Sequence, residues 1–298
     1  MTLLVGLDTA RRSSSVLALA AQLANSLDTD LVVAAVVSSA WPLSRASVDH
    51  EWQAHNREAA DQVLDHAASV LGGDVRARYV VHEAASARRG LLELAEQERP
   101  DALVLGSAVR GEPGRIALGA VSEALLHTSP APVAIAPVGY RSRGGARFDR
   151  LTVAYGGSGT AQDLIPGTAA VAALGGVRLR IASFAVRPDA ELGILAGAGG
   201  RAEDPVLVEW EERIRGHAAT VLGEIAGPAP TVDGFTVGVG ASWAAAIDDV
   251  GWTDGDLLVV GSSSLNPLTR VFLGSHGTKI VRNAGVPVLV VPRTAAWG

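Results

Sequence analysis

An α/β fold is predicted: two doubly wound parallel-sheet domains in tandem within 298 residues. Three observations predict it. Short apolar runs alternate along the whole chain with segments of helical periodicity, the pattern of strands joined by crossover helices. The stretch Asp256–Pro292, DLLVVGSSSLNPLTRVFLGSHGTKIVRNAGVPVLVVP, has an imperfect earlier copy at Asp101–Pro137, DALVLGSAVRGEPGRIALGAVSEALLHTSPAPVAIAP. A polar segment, YRSRGGARFDR at Tyr140–Arg150, separates the two copies of the pattern. The expected division is a first domain at 1–140, a linker at 141–150 and a second domain at 151–298.

Composition narrows the class. Hydrophobic residues make up 48% and charged residues 19%, a globular rather than a disordered balance. A net charge of -6 has the wrong sign for sequence-independent binding to nucleic acid or an acidic membrane, so neither partner is expected. The absence of cysteine excludes disulfides and thiolate chemistry. The start, MTLLVGLDTARR, reads as a strand and a turn, not as a signal segment. No run of about 18 apolar residues is present. A soluble, cytoplasmic protein is expected.

The elements follow in order. Leu3–Leu7 is a buried strand ending at Asp8, and Ser13–Leu27 is a helix with Val16, Leu19, Ala20, Leu23 and Leu27 on one face. Leu31–Val37 is continuous and Val-rich, a strand buried on both faces. A loop with Trp41-Pro42 precedes a long helix, capped by Ser47 or Asp49 and stopped at Gly72-Gly73. Val75–His82 alternates as a strand, and Ser86–Gln97 is a helix halted near Pro100. Strand Ala102–Leu105, a loop, helix Ala120–His127 and strand Val133–Ala136 complete the first unit. The pattern then restarts with strand Leu151–Tyr155, a turn at Gly156–Gly159, helix Ala161–Leu174 and strand Val177–Val186. A Gly- and Ala-rich stretch near Gly197–Arg201 accounts for the extra length of the second unit. A helix capped by Asp204 runs from Pro205 to Ile225, followed by strand Phe235–Val239 and a short helix Ser242–Val250. The repeated stretch closes the chain with a strand from Asp256, a helix starting at Gly274-Ser275 and strand Val286–Val291.

Asp, Gly-Ser, Arg, Leu-Gly, Pro-Val and a final Pro recur at the same offsets in the two stretches. Two such units resemble a tandem universal stress protein, over nearly the whole chain. The resemblance implies Rossmann-like domains of the adenine nucleotide alpha-hydrolase kind, and a non-catalytic stress-response module. Nucleotide-binding members carry G-x2-G-x9-G-[S/T] between the fourth strand and fourth helix, and an Asp at the end of the first strand. The second half offers Gly261, Ser264, Gly274 and Ser275 at those positions, with Ser264 replacing a glycine. The first half offers Gly106, Val109, Gly119 and Ala120, a departure at two of the four. Asp8 matches the first-strand Asp, while its counterpart in the second half is Gly156. The implied ligand is an adenine nucleotide, ATP with Mg2+. The implied assembly is an internal pseudo-dimer in which Val133–Ala136 pairs with Val286–Val291, and a homodimer of the whole chain is also compatible.

The residue chemistry runs beside this. A loop from the carboxyl end of a parallel strand into a helix presents free N–H groups and a positive dipole end, which favour an anion. Gly106, Gly119, Gly261 and Gly274 let the backbone approach phosphates, and Ser107, Ser262 and Ser275 supply hydroxyl donors. Each feature has a structural counterpart. Ser275 also suits a helix cap, Asp8 suits a cap of the first helix, and Arg115 and Arg270, at equivalent positions, suit a solvated surface. Two functions remain open: a nucleotide-responsive module, and a protein-binding scaffold that has lost its nucleotide. An enzyme is disfavoured, since no phosphate-loop Lys, nucleophile elbow or helical i, i+4 histidine pair is present.

Overall fold

The computed structural model describes residues 1–10, 14–38, 46–108, 111–156, 164–187, 205–225, 230–262 and 273–292. The expected turn at 157–159, the cap at Asp204, the inserted stretch near 197–201 and the loop at Trp41-Pro42 lie outside them.

The first half comprises β1 (Thr2–Leu7), α1 (Ser14–Leu27), β2 (Asp30–Ser38), α2 (Ala46–Leu71), β3 (Ala77–Ala84), α3 (Ala87–Glu98), β4 (Ala102–Gly106), α4 (Ala120–Thr128) and β5 (Val133–Ala136). The second comprises β6 (Arg150–Ala154), α5 (Leu164–Gly175), β7 (Arg178–Val186), α6 (Pro205–Gly223), β8 (Val232–Gly240), α7 (Trp243–Asp248), β9 (Asp256–Gly261), α8 (Ser275–Asn283) and β10 (Val288–Val291). α2 is described from Ala46, so positions 47 and 49 lie within the helix and not ahead of it. β8 starts earlier than its apolar run suggests. A bulge at Asp233-Gly234, with Gly234 at φ 102°, lets pairing with β7 continue back to Val232.

All ten strands form one sheet, in the order β3-β2-β1-β4-β5-β10-β9-β6-β7-β8. Within each half the pairing is parallel; only β5 and β10 meet antiparallel, with Ile135 opposite Val288 and Val133 opposite Val290. Period-2 alternation then sorts each strand between two apolar layers. Leu3, Val5, Val33, Val104, Val259 and Leu289 face the layer built with α1, α2, α5 and α6. Leu4, Val32, Leu103, Leu258 and Val288 face the layer that also holds residues of α3, α4 and α8. Both layers contain residues of both halves, so the core continues across the β5–β10 seam.

Glycines set two close approaches. A Cβ on Gly90 of α3 would lie 2.6 Å from Val36 Cγ1 on β2. In the second half the small residue moves to the strand, where a Cβ on Gly238 would lie 1.9 Å from the carbonyl oxygen of Ala246 in α7.

The Tyr140–Arg150 segment is a strap and not a free linker. Ser142 Oγ donates to Ala18 O at 3.1 Å, Asn25 Nδ2 to Ala146 O at 3.4 Å, and Phe148 N to Ser26 Oγ at 2.8 Å. The Tyr140 hydroxyl donates to Gln22 Oε1, and burial, then the Asp254 charge, pushes the phenol up to about 12. Gln22 in turn donates to the carbonyls of Arg147 and Asp254, tying α1 to both strap and second half.

The amino ends of the second half's strands carry an ionic network. Asp256, fully buried, accepts from Arg150 Nε and Nη2 at 2.6 and 2.8 Å and from Thr253 N at 2.7 Å. Buried Arg180 donates to Thr152 Oγ1 and to the carbonyls of Val250 and Gly251, and its guanidinium lies 4.8 Å from the Trp252 ring centroid. Asp233 bridges Arg150 at 2.7 Å and Arg178 at 3.1 Å. Removing one partner strands the others in a dry site, so Asp256→Ala is expected to cost about 3–5 kcal/mol, read from denaturant midpoints. The Arg150 hydrogen bond holds the Asp233 carboxyl below its usual range. Its stabilisation is therefore complete above the unfolded value of about 3.9 and is lost as pH falls through the folded one. Acid titration of the urea midpoint is expected to show a shallower loss below about pH 4 in Asp233→Asn than in the wild type.

Candidate functional site

The candidate loops leave the carboxyl ends of β4 and β9. β1 neighbours β4, and β6 neighbours β9, so the ends of the first strands lie beside these loops. Asp8 follows β1 directly, is exposed, and its Oδ1 accepts from Ala10 N at 3.0 Å. That bond caps the turn after β1, and α1 is described from Ser14. Gly156, its counterpart, is exposed, and a Cβ there would meet nothing within 4 Å.

Gly106 is the last residue of β4, and Ser107 turns its hydroxyl inward. Ser107 Oγ donates to Ala136 O at 2.7 Å and accepts from Ala117 N at 3.2 Å. Ala108 N donates to Ala117 O at 2.7 Å, which draws the two ends of the loop together. Gly111 sits inside the closure; a Cβ there would lie 2.4 Å from that of Ala117. The chain then reaches Gly119, the N-cap of α4, with φ -89° and ψ 172°. Gly119 makes no side-chain cap; its own N–H donates to Ser122 Oγ at 2.9 Å.

In the second half Gly261 ends β9, where a Cβ would lie 3.3 Å from Leu164 Cδ2. Ser262 is buried, and its N–H donates to Val291 O at 2.9 Å. Ser264 and Arg270, like Val109 of the first loop, lie outside the described residues. Gly274 is the N-cap of α8, again without a side-chain cap. Ser275 is therefore the first helical residue and not the cap that its sequence position suggests; it is exposed. His276 and Lys279, on the following turn, pack against Trp243 at the start of α7, with ring centroids 5.8 Å apart for the His–Trp pair and Lys279 Nζ 5.8 Å from the Trp centroid.

Arg115 departs from the sequence reading of a solvated surface residue. It donates to both carboxylate oxygens of Asp248 and to Asn283 O at 2.7 Å, all in the second half. No local sequence signal marks this pairing.

The β1–β4 and β6–β9 pairings set the strand end before Asp8 next to that before Ser107, and the strand end before Gly156 next to that before Ser262, and a Cβ on Gly119 would lie 3.4 Å from that of Ala108. In α4 and α8 alike, the residue at the N-cap is a glycine, which provides no side-chain cap at the positive end of the helix dipole. Among the described residues no cluster of three metal-ligating side chains is present, and no helix is long and apolar enough to cross a membrane.

Comparison with known proteins agrees with this architecture. The model of the universal stress protein family matches residues 1–137 and 147–292. Universal stress proteins of Mycobacterium tuberculosis and Mycobacterium bovis are 34% identical over 302 residues, covering 98% of this chain and 100% of theirs. Among solved structures, a universal stress protein from Archaeoglobus fulgidus matches with a TM-score of 0.58 at 21% identity, over 98% of each chain. A protein of unknown function from Pseudomonas aeruginosa PAO1 matches at 0.56 and 13%, over 98% of this chain and 92% of the other. Both likenesses are of fold.

The two serines differ in what they hold up. Ser107→Ala removes a hydroxyl bridging two backbone groups and is expected to cost about 1 kcal/mol in a urea titration. Ser275→Ala, at an exposed position that caps nothing, is expected to stay within about 0.5 kcal/mol of the wild type.

Proposed function

The chain belongs to the universal stress protein family, and from that premise we propose that it is a non-catalytic, nucleotide-responsive stress module. Its two domains, 1–140 and 151–298 joined by 141–150, act as an internal pseudo-dimer across β5 and β10. The ligand is an adenine nucleotide, ATP with Mg2+, received at the loop between a fourth strand and a fourth helix. The observation that carries this reading is the pair of glycine N-caps, Gly119 and Gly274, each at the end of a loop from the carboxyl end of a parallel strand. A helix N-terminus with no side-chain cap offers N–H donors and dipole to a phosphate, and glycine admits close approach.

Each half supplies part of the ligand set. The first half keeps Asp8, a carboxylate able to accept from ribose hydroxyls, but spends the Ser107 hydroxyl on its own loop. The second half keeps exposed Ser275 at the helix start but has Gly156 where a carboxylate would stand. The Ser107 bonds and the Arg115 pairing favour a second reading for the first half: a scaffold whose loop serves the fold and binds no nucleotide.

Isothermal titration with Mg-ATP decides between them. Binding is expected at or below about 1 mM, a free energy of only about -4 kcal/mol. Gly274→Val is expected to abolish the second half's share and Asp8→Ala to weaken the first half's. Gly156→Asp, at a position with open space, is expected to tighten the second site. Absence of heat at millimolar nucleotide in the wild type would leave the scaffold reading alone.

A further inference from the structure

The antiparallel meeting of β5 and β10 turns the strands of the two halves in opposite senses across the seam. A loop at the carboxyl ends of the first half's strands then lies beside the helix C-termini of the second half. Arg115 uses that juxtaposition. Its two terminal nitrogens donate to the Asp248 carboxylate at the end of α7, and Nη1 also donates to the carbonyl of Asn283, the last residue of α8. A bidentate carboxylate and the negative end of a helix dipole both favour a guanidinium. The Arg115 side chain is 21% exposed while that of Asp248 is 50% exposed, so the loop residue is drawn inward and its partner is reached from the surface.

The backbone of the same residue holds the loop. Gly114 N donates to Val138 O at 2.9 Å, and Val138 N donates to Arg115 O at 2.9 Å. Arg115 N donates to Glu112 O at 3.1 Å. Two residues on, Ala117 is bonded to Ala108 and Ser107. On the far side, a Cβ at Gly285 would lie 3.5 Å from Arg115 Nη1 and 3.6 Å from Gly114 O, so second-half backbone flanks the guanidinium.

We infer that Arg115 is a clamp across the seam, through which Asp248 and the carbonyl end of α8 set the order of the first half's β4–α4 loop. α8 carries the second half's candidate site at its amino end and the clamp at its carboxyl end, so one nine-residue helix touches both loops. The consequence for ligand affinity rests on the nucleotide reading above: any anion held at Gly119 binds to a loop whose shape the second half maintains.

Hydrogen exchange on the full chain, without nucleotide, tests the clamp. Asp248→Asn removes the charge at a half-exposed position in the other half and keeps the side-chain shape. The amides of Gly114, Ala117 and Val138 are expected to exchange about tenfold faster, with those of α7 unchanged. In an Arg115→Gln background the same Asp248→Asn change is expected to add nothing, because the pair is already broken. Wild-type exchange at those amides in Asp248→Asn, acceleration confined to α7, or an undiminished effect in the Arg115→Gln background would each overturn the clamp. An ATP titration of the wild type is read separately. If it gives no heat, the nucleotide reading falls while the exchange result still decides the clamp.

Discussion

The antiparallel ladder between β5 and β10 is the constraint on which the rest of the molecule depends. Each is a four-residue strand of small or branched apolar residues, and Val133, Ala134, Ile135 and Ala136 are all fully buried. Left as the last strand of a separate sheet, either would present an unpaired apolar edge, which invites promiscuous pairing. Joined, they remove both edges at once and leave β3 and β8 as the outer strands. Because side chains alternate across a sheet, joining the ladders also joins the layers above and below it. That is why each apolar cluster draws on both halves. The Tyr140–Arg150 strap and the Arg282–Glu123 ion pair between α8 and α4, at 3.2 Å, are placed by that junction.

Antiparallel joining has a second consequence, for electrostatics. In each half, helices return with their carboxyl ends toward the amino ends of the strands. At the seam, the carboxyl ends of α7 and α8 face the β4–α4 loop of the first half, which meets them with Arg115. Asn283 O is among the terminal carbonyls that a helix cannot satisfy by itself, and Arg115 supplies its donor from outside the helix. A residue that sequence alone assigns to solvent is in this way committed to the junction.

What was legible in the sequence depended on range. Strand and helix types came from local periodicity, and the order of elements followed because a parallel sheet with short connections admits few topologies. The β5–β10 pairing was expected from the family resemblance and from the apolarity of both strands. Contacts between residues distant in sequence were not legible. Nothing beside Arg115 points to Asp248, and nothing beside Gln22 points to Tyr140, Arg147 and Asp254, because such pairs are fixed by the folded path alone. Local chemistry also misled at α8. A Ser after a Gly at a helix start reads as the cap, yet Gly274 takes the extended cap geometry and Ser275 falls inside the helix. Backbone geometry decides which of two adjacent residues is the cap, and sequence does not carry it.

The internal repeat separates the residues the fold needs from those a ligand would use. Two of the features shared by the halves, the Asp before the fourth strand and the Ser after it, are structural. Asp101 accepts from Thr2 N at 2.5 Å, and Asp256 accepts from Arg150, so the recurring Asp ties the start of each fourth strand to its first. The recurring Ser ties the strand end inward: Ser107 through its hydroxyl to Ala136, and Ser262 through its N–H to Val291. The fold therefore accounts for the recurrence of the Asp and the Ser, while the recurring glycine N-caps serve no such tie. The informative positions are the unshared ones, Asp8 against Gly156 and Ala120 against Ser275. They are exposed in the described structure, where a side chain is free to differ without cost to packing. At Gly156 no atom of the described residues lies within 4 Å of a Cβ. The halves differ there in the chemistry of exposed side chains, set on a shared frame.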